Sequence, residues 1–123
     1  MKELFEYLNS NQIRFLIIGS YSKLWNNIGT TYPRDIDIWI EESDSNRIKF
    51  LESFGLNLSG ENIGQVIIRT IKVNIFLMVD GLKFEFAFSN ANVRQINEEL
   101  EVKYLSAEHY IQNISTIQEK WDF

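Results

Sequence analysis

The sequence predicts an α/β (α+β) domain in which helices flank a mixed β-sheet. Strand-like and helix-like segments alternate in the first half of the chain, and strand-like segments cluster in the second half. The chain has 123 residues, of which 45% are apolar, including nine phenylalanines. Because this is enough for one hydrophobic core but not for two, we expect residues 1–123 to form a single domain.

The first half is predicted to run helix, strand, helix, strand, helix. Leu4, Phe5 and Leu8 have helical spacing, and the β-branched run "IRFLIIG" predicts a buried strand over residues 13–18. "YSKLWNN" predicts a short helix and "DIDIWI" a second strand. The "SDSN" segment then supplies helix-capping residues for a third helix. Its predicted apolar stripe and terminating glycine are Ile48, Phe50, Leu51, Phe54 and Gly55.

The second half is predicted to contribute two or three strands and a final helix. The strands lie in "IGQVIIRTIKVNIFLMVDGLKFEFAF", and Asp80-Gly81 is interpreted as the tight turn of a hairpin between them. Glu85 would then occupy an exposed strand position. "SAEHYIQNI" predicts a helix capped by Ser106.

The composition excludes several classes of function. The absence of cysteine excludes disulfides, thiolate metal sites and cysteine nucleophiles, and a single histidine, His109, excludes any site that needs two. The net charge of −5 argues against broad duplex DNA binding. No apolar run approaches the roughly 20 residues of a membrane helix, and the first residues lack the layout of a secretory signal. We therefore expect a cytoplasmic protein without a membrane partner.

Two aspartates on the second strand are the first candidate site residues. Side chains two apart on a strand share a face, so Asp35 and Asp37 lie together, with Cβ atoms about 7 Å apart, while the neighbouring isoleucines face the core. A shared divalent cation would offset their repulsion, and carboxylate oxygens suit Mg²⁺. The alternative is an ordinary pair of solvent-facing acids.

A glycine and a serine, Gly19-Ser20, stand where the first strand ends and a helix is expected to begin. Glycine allows a phosphate to approach the backbone, and a helix N-terminus offers free N–H groups. Without a ligand, this would be a simple strand-to-helix turn. Combined with the acidic pair, it describes a site in which the turn holds a triphosphate and the carboxylates hold bridging metal ions.

The order of "IIGSYSKLW", "RDIDIWI" and the capped "SNRIKFLESFG" resembles the nucleotidyltransferase superfamily with its DNA polymerase β-like palm. A second motif, "IKVNIFLMVDGLKFEFAF", is similar to the segment that supplies the third carboxylate in minimal bacterial nucleotidyltransferase-like proteins. The resemblance covers about residues 13–90. It implies catalytic residues Asp35, Asp37 and Asn74, Mg²⁺ (or Mn²⁺) on the two aspartates, and a nucleoside triphosphate seated by Gly19 and Ser20.

Asn74 is the main departure from this pattern, because it stands where the family has its third carboxylate. Strand alternation directs Asn74 toward the site, but an amide supplies no negative charge, which should weaken metal binding and especially the metal that activates the attacking hydroxyl. Two functions therefore stay open. One is nucleotidyl transfer to a protein or RNA acceptor, as in the similar toxin–antitoxin components, and the other is an inactive binding module. Either function predicts a partner protein or a homodimer.

Overall fold

A computed structural model describes residues 2–53, 64–68 and 70–121 of the chain. Within these residues one six-stranded sheet has the strand order β3-β4-β2-β1-β6-β5. The strands are β1 (Phe15–Ile18), β2 (Asp35–Ile40), β3 (Gln65–Ile68), β4 (Ile71–Phe76), β5 (Asn92–Gln95) and β6 (Glu101–Tyr104). The helices are α1 (Lys2–Ser10), α2 (Gly19–Trp25), α3 (Asp44–Ser53), α4 (Phe84–Ser89) and α5 (Ala107–Trp121). The fold is therefore α+β with a mixed sheet flanked by helices, as the sequence predicts.

The two central strands that carry the candidate site are β1 and β2. They pair antiparallel, with Ile18 opposite Asp37, so the end of β1 lies beside the first half of β2. On its other side β2 pairs parallel with β4, and there Asp37 is opposite Asn74. The order of the sheet therefore brings the turn after β1, the acidic pair of β2 and the middle of β4 to one region.

Both faces of the sheet are covered, and the alternation along β2 divides its residues between them. Ile36, Ile38 and Ile40 belong to a core that also contains apolar residues of α1 and α3. Trp39, on the face of the aspartates, belongs to a second core with residues of α4 and the segment before α5. Its ring contacts that of Phe84 edge-on at 5.2 Å between centroids, and only 2% of Trp39 is exposed. Trp39 therefore packs rather than facing solvent beside the acids.

The predicted hairpin at Asp80-Gly81 is wrong. The turn exists, and Gly81 has a positive φ of 82°, but the chain continues into helix α4 instead of a strand. The alternation in "KFEFAF" is typical of a strand, yet Phe84, Ala87 and Phe88 also have the i, i+3, i+4 spacing of a helix face. These three side chains pack in the second core. Burial against the sheet therefore decides the conformation, and Glu85 lies on a helix.

Other elements agree with the sequence in kind and differ in extent. The first strand begins at Phe15 rather than at residue 13, and the last helix continues to Trp121. Ser106 caps that helix, because its Oγ accepts a hydrogen bond from the His109 backbone N–H at 3.2 Å. In α3, Phe50 is buried as predicted, but Ile48 is 39% exposed and lies off the apolar face. The predicted contributions of Phe54 and Gly55 lie outside the described residues, as does the Leu51 side chain.

Strands β5 and β6 are absent from the sequence prediction. They form an antiparallel pair, and β6 continues the sheet by lying parallel to β1. All four residues of β5 are exposed, so this edge strand has no apolar face to mark it in the sequence. Among residues 2–53, 64–68 and 70–121, none of the helices combines the length and apolarity that a membrane span requires.

Candidate active site

The acidic pair occupies the start of β2, where both carboxylates share the face covered by α4 and α5. Asp35 and Asp37 are each partly buried, whereas Ile36 between them is 1% exposed. The strand therefore holds the two acids side by side, because the isoleucines on the opposite face fix its orientation. This is the arrangement that the alternation in "DIDIWI" predicts.

Gly19 brings the turn after β1 into contact with Asp37. Its φ is +62°, a backbone conformation that side-chain-bearing residues rarely adopt. A Cβ atom at this position would overlap Asp37 Oδ2, so the carboxylate lies directly against the glycine. A glycine is therefore required here for two independent reasons: the backbone angle and the space that the carboxylate occupies.

A buried hydroxyl supports this turn from within α2. Ser22 is fully buried, and its Oγ donates a hydrogen bond to the Gly19 carbonyl at 2.7 Å. The bond ties the first residue of the helix to the residue three positions later, which stabilises the unusual conformation at Gly19. Ser22 is a supporting residue that the sequence analysis missed, although a serine at this spacing after a strand-ending glycine is a usable signal.

Asn74 lies beside Asp37, on the neighbouring strand. Its Nδ2 donates a hydrogen bond of 2.7 Å to Asp37 Oδ1. Its own Oδ1 accepts a hydrogen bond of 2.8 Å from Gln65 Nε2 on β3. The three side chains form a line across the sheet, because Asp37 is opposite Asn74 and Asn74 is opposite Gln65 in the strand register. Gln65 is the second residue that the sequence analysis missed.

The surroundings of Asp37 raise the pKa of its carboxyl above the ordinary value of 3.8. Burial is the main cause, since it disfavours the charged form, and the neighbouring charge of Asp35 acts in the same direction. The hydrogen bond from Asn74 opposes both effects because it stabilises the carboxylate. Holding Asp37 ionised therefore costs the folded protein free energy, which a bound cation would recover.

A cleft of about 400 Å³ opens next to Asp37 and Gly19. Its remaining walls come mainly from the end of β4 and the middle of α5, and they are largely apolar: Ile18, Phe76, Met78, Val79, Ile114 and Ile117. Met78 is 76% exposed at the mouth of the cleft. The site therefore combines an acidic edge with an apolar floor of a size suited to a small molecule or a side chain.

Ser20 is exposed and lies away from this cleft. It borders a separate cavity of about 140 Å³, together with Lys23 of α2 and with Thr30 and Thr31 of the loop that follows this helix. The structure thus brings Gly19, Asp37 and Asn74 together, whereas Ser20 is a neighbour of the lysine and the loop hydroxyls.

The donor set for a cation consists of two carboxylates. No cluster of three or more acidic or histidine side chains able to hold a metal ion occurs in the described part of the chain. Asp80 also borders the cleft, but Lys120 Nζ donates to its Oδ1 at 3.1 Å. Glu85 is engaged by Arg14, whose two terminal nitrogens contact its two oxygens at 2.9 and 3.1 Å. Neither acid replaces the missing third carboxylate, but Mg²⁺ is commonly held by one or two carboxylates plus substrate phosphates.

The arrangement of helices and strands is similar to that of a solved structure. A crystal structure similar to this chain is that of a Thermotoga maritima protein described provisionally as a nucleotidyltransferase. The match has a TM-score of 0.70 and 18% sequence identity, and it covers 98% of this chain and 83% of that protein. No protein-family model matches the chain, and no curated protein matches it in sequence. The likeness is therefore one of fold, and it agrees with the resemblance carried by the two sequence motifs.

Proposed function

We propose that this protein binds a nucleoside triphosphate through a divalent cation at Asp35 and Asp37 and transfers its nucleotidyl group to an acceptor hydroxyl. The observation that carries the proposal is the packing of the Asp37 carboxylate against Gly19. This contact places a carboxylate against the glycine turn at the edge of the cleft of about 400 Å³, where a triphosphate and its cation would lie together.

The proposed reaction is an in-line displacement at the α-phosphorus. The acceptor oxygen forms a bond to phosphorus as the bond to the bridging oxygen breaks, pyrophosphate leaves with that electron pair, and the hydroxyl proton passes to water. Asp35 and Asp37 would hold Mg²⁺ or Mn²⁺, which neutralises phosphate charge and orients the triphosphate. Gly19 would give the phosphates access to the backbone of the turn. Ser20, the other residue that the sequence predicts for the triphosphate, borders the separate cavity beside Lys23 and takes no part in this arrangement. Most of the acceleration then comes from positioning and electrostatics.

A second function, binding without transfer, is favoured by one specific contact. Asn74 supplies an amide N–H₂ group to Asp37 at the position where the resembling family has a carboxylate. Because a neutral amide holds a cation far less strongly than a carboxylate, the protein would retain nucleotide and lose most of the transfer rate. Replacing Asn74 with aspartate separates the two functions, since transfer that appears only in the variant identifies the native protein as a binding module.

The acceptor in this proposal is a hydroxyl of a protein or an RNA. The described domain has little surface outside the sheet and its five helices with which to hold an acceptor, so we propose that a partner protein or a second copy completes that site. The cytoplasm supplies the triphosphate and the cation.

The first experiment is calorimetric titration of the four common ribonucleoside triphosphates with and without Mg²⁺. We expect Mg²⁺-dependent binding by the native protein and its loss in the Asp35→Asn/Asp37→Asn double variant. A matched control is Glu42→Gln/Asp44→Asn. It removes two exposed carboxylates that are two residues apart, as Asp35 and Asp37 are, just before and at the start of α3. The control should bind as the native protein does. Absence of binding to any triphosphate, or equal loss in both double variants, would refute the proposal.

A further inference from the structure

The two oxygens of the Asp37 carboxylate face different surroundings. Oδ2 lies against Gly19, on the side of the turn after β1. Oδ1 faces β4 and accepts the 2.7 Å hydrogen bond from Asn74. The cleft that borders Asp37 and Gly19 has room for a cation that Asp37 shares with triphosphate oxygens, whereas the β4 side of Asp37 is already occupied by an amide.

The orientation of the Asn74 amide follows from its two partners. An ionised carboxylate only accepts hydrogen bonds, so the N–H₂ group must face Asp37 and the carbonyl oxygen must face β3. There Gln65 Nε2 donates to it at 2.8 Å. For Asn74 to offer its oxygen to a cation at Asp37, its amide must turn and break both hydrogen bonds, or the Gln65 amide must turn with it.

We infer that Asn74, held by Gln65, closes the β4 side of Asp37 to cations, so that the site takes one divalent cation with the triphosphate instead of two. Gln65 is a positioning residue in this arrangement, because it acts on the site only through Asn74. The amide hydrogens carry partial positive charge toward Asp37 Oδ1 and repel a metal ion there. The inference rests on the proposed function, since it concerns the cations that accompany a bound triphosphate.

The test counts bound Mn²⁺ by electron paramagnetic resonance and calorimetry, with the α,β-methylene analogue of the triphosphate that binds best. This analogue cannot transfer its nucleotidyl group, so the readout is independent of activity. We expect about one equivalent of Mn²⁺ per native protein. The variant Asn74→Asp restores a third carboxylate and is expected to bind about two equivalents.

Gln65→Ala tests the positioning role, because it frees the Asn74 oxygen without changing any charge. We expect it to admit a second Mn²⁺ more weakly than Asn74→Asp does, since the lost hydrogen bond lies on an exposed edge strand. The matched control is Gln95→Ala on β5, the opposite edge strand of the sheet. This control should stay at about one equivalent.

Four outcomes would overturn the inference or part of it. About two equivalents in the native protein would show that the β4 side is open, while leaving the proposed function intact. If the Asn74→Asp variant binds nucleotide but still takes one equivalent of Mn²⁺, residue 74 does not control the second cation. If Gln65→Ala binds the same number of Mn²⁺ equivalents as Gln95→Ala, Gln65 has no positioning role. No Mn²⁺ and no nucleotide bound to the native protein would instead refute the proposed function, and this inference with it.

Discussion

Replacing Gly19 with alanine perturbs both features that make a glycine necessary at the end of β1. The residue has a φ of +62°, and a side-chain-bearing residue in this left-handed region costs about 1–2 kcal/mol. The added Cβ also overlaps Asp37 Oδ2 and must displace the carboxylate from Asn74. Loss of a hydrogen bond to a charged group costs about 1.5–3 kcal/mol, and alanine recovers about 0.4–1 kcal/mol through the unfolded chain. We expect Gly19→Ala to lower the free energy of unfolding by about 2–4 kcal/mol.

The assay is urea denaturation monitored by circular dichroism. The unfolding free energies of all variants are compared with one common slope of free energy against urea concentration. Gly64→Ala is the matched control, because that position has no positive φ and its added Cβ meets no atom of the described residues within 4 Å. It should change stability by less than about 0.5 kcal/mol. In an Asp37→Ala background the overlap with Oδ2 is gone and only the Cβ of residue 37 stays close, at 3.2 Å, so Gly19→Ala should cost mainly the backbone strain. A loss below about 1 kcal/mol in the native background would refute the reasoning.

The remaining predictions concern Asp37 and the core. Burial raises the pKa of Asp37 in the folded state above its ordinary value of 3.8. Ionisation of this carboxyl therefore lowers the free energy of unfolding as the pH rises through the folded pKa, and below the ordinary pKa this loss is absent. Asp37→Asn is therefore expected to raise the melting temperature at about pH 7, with a gain that disappears toward about pH 3; a gain independent of pH in thermal melts would contradict this. Phe50→Ala should cost about 3–5 kcal/mol in urea denaturation because the side chain is fully buried. Phe86 is 66% exposed, so Phe86→Ala should change the free energy of unfolding by less than about 0.5 kcal/mol. Similar losses of stability in Phe50→Ala and Phe86→Ala would contradict the assigned core.

The sequence predicts the site-bearing part of the fold well because its signals there are local. In β2 the strict alternation of isoleucine with aspartate defines the strand and its two faces, and the structure has both. The segment that becomes α4 shows the opposite case. Its alternating phenylalanines satisfy a strand period and a helix period equally, and the choice depends on packing against Trp39, which no local pattern contains.

The geometry of the site was predictable only in part. Alternation along β4 is sufficient to direct Asn74 toward Asp37, and their hydrogen bond agrees with that prediction of position. Gln65 carries no such signal, because its contact with Asn74 depends on how β3 and β4 pair. For Gly19 the sequence predicts only a turn that a phosphate can approach. Its left-handed conformation and its closeness to the Asp37 carboxylate are found in the structure, where β1 pairs with β2.

The amide at position 74 has a consequence for how this protein can change over generations. Asparagine and aspartate have nearly the same shape, and their codons differ by a single base. The strand pairing that sets Asn74 opposite Asp37 is made by the backbone and does not itself require the amide. A gene encoding this chain is therefore one point mutation away from a third carboxylate. Gain and loss of that charge are equally accessible to natural variation. Under the proposed function, one base change would therefore convert a nucleotide-binding protein into a transferase, or the reverse, without rebuilding the fold.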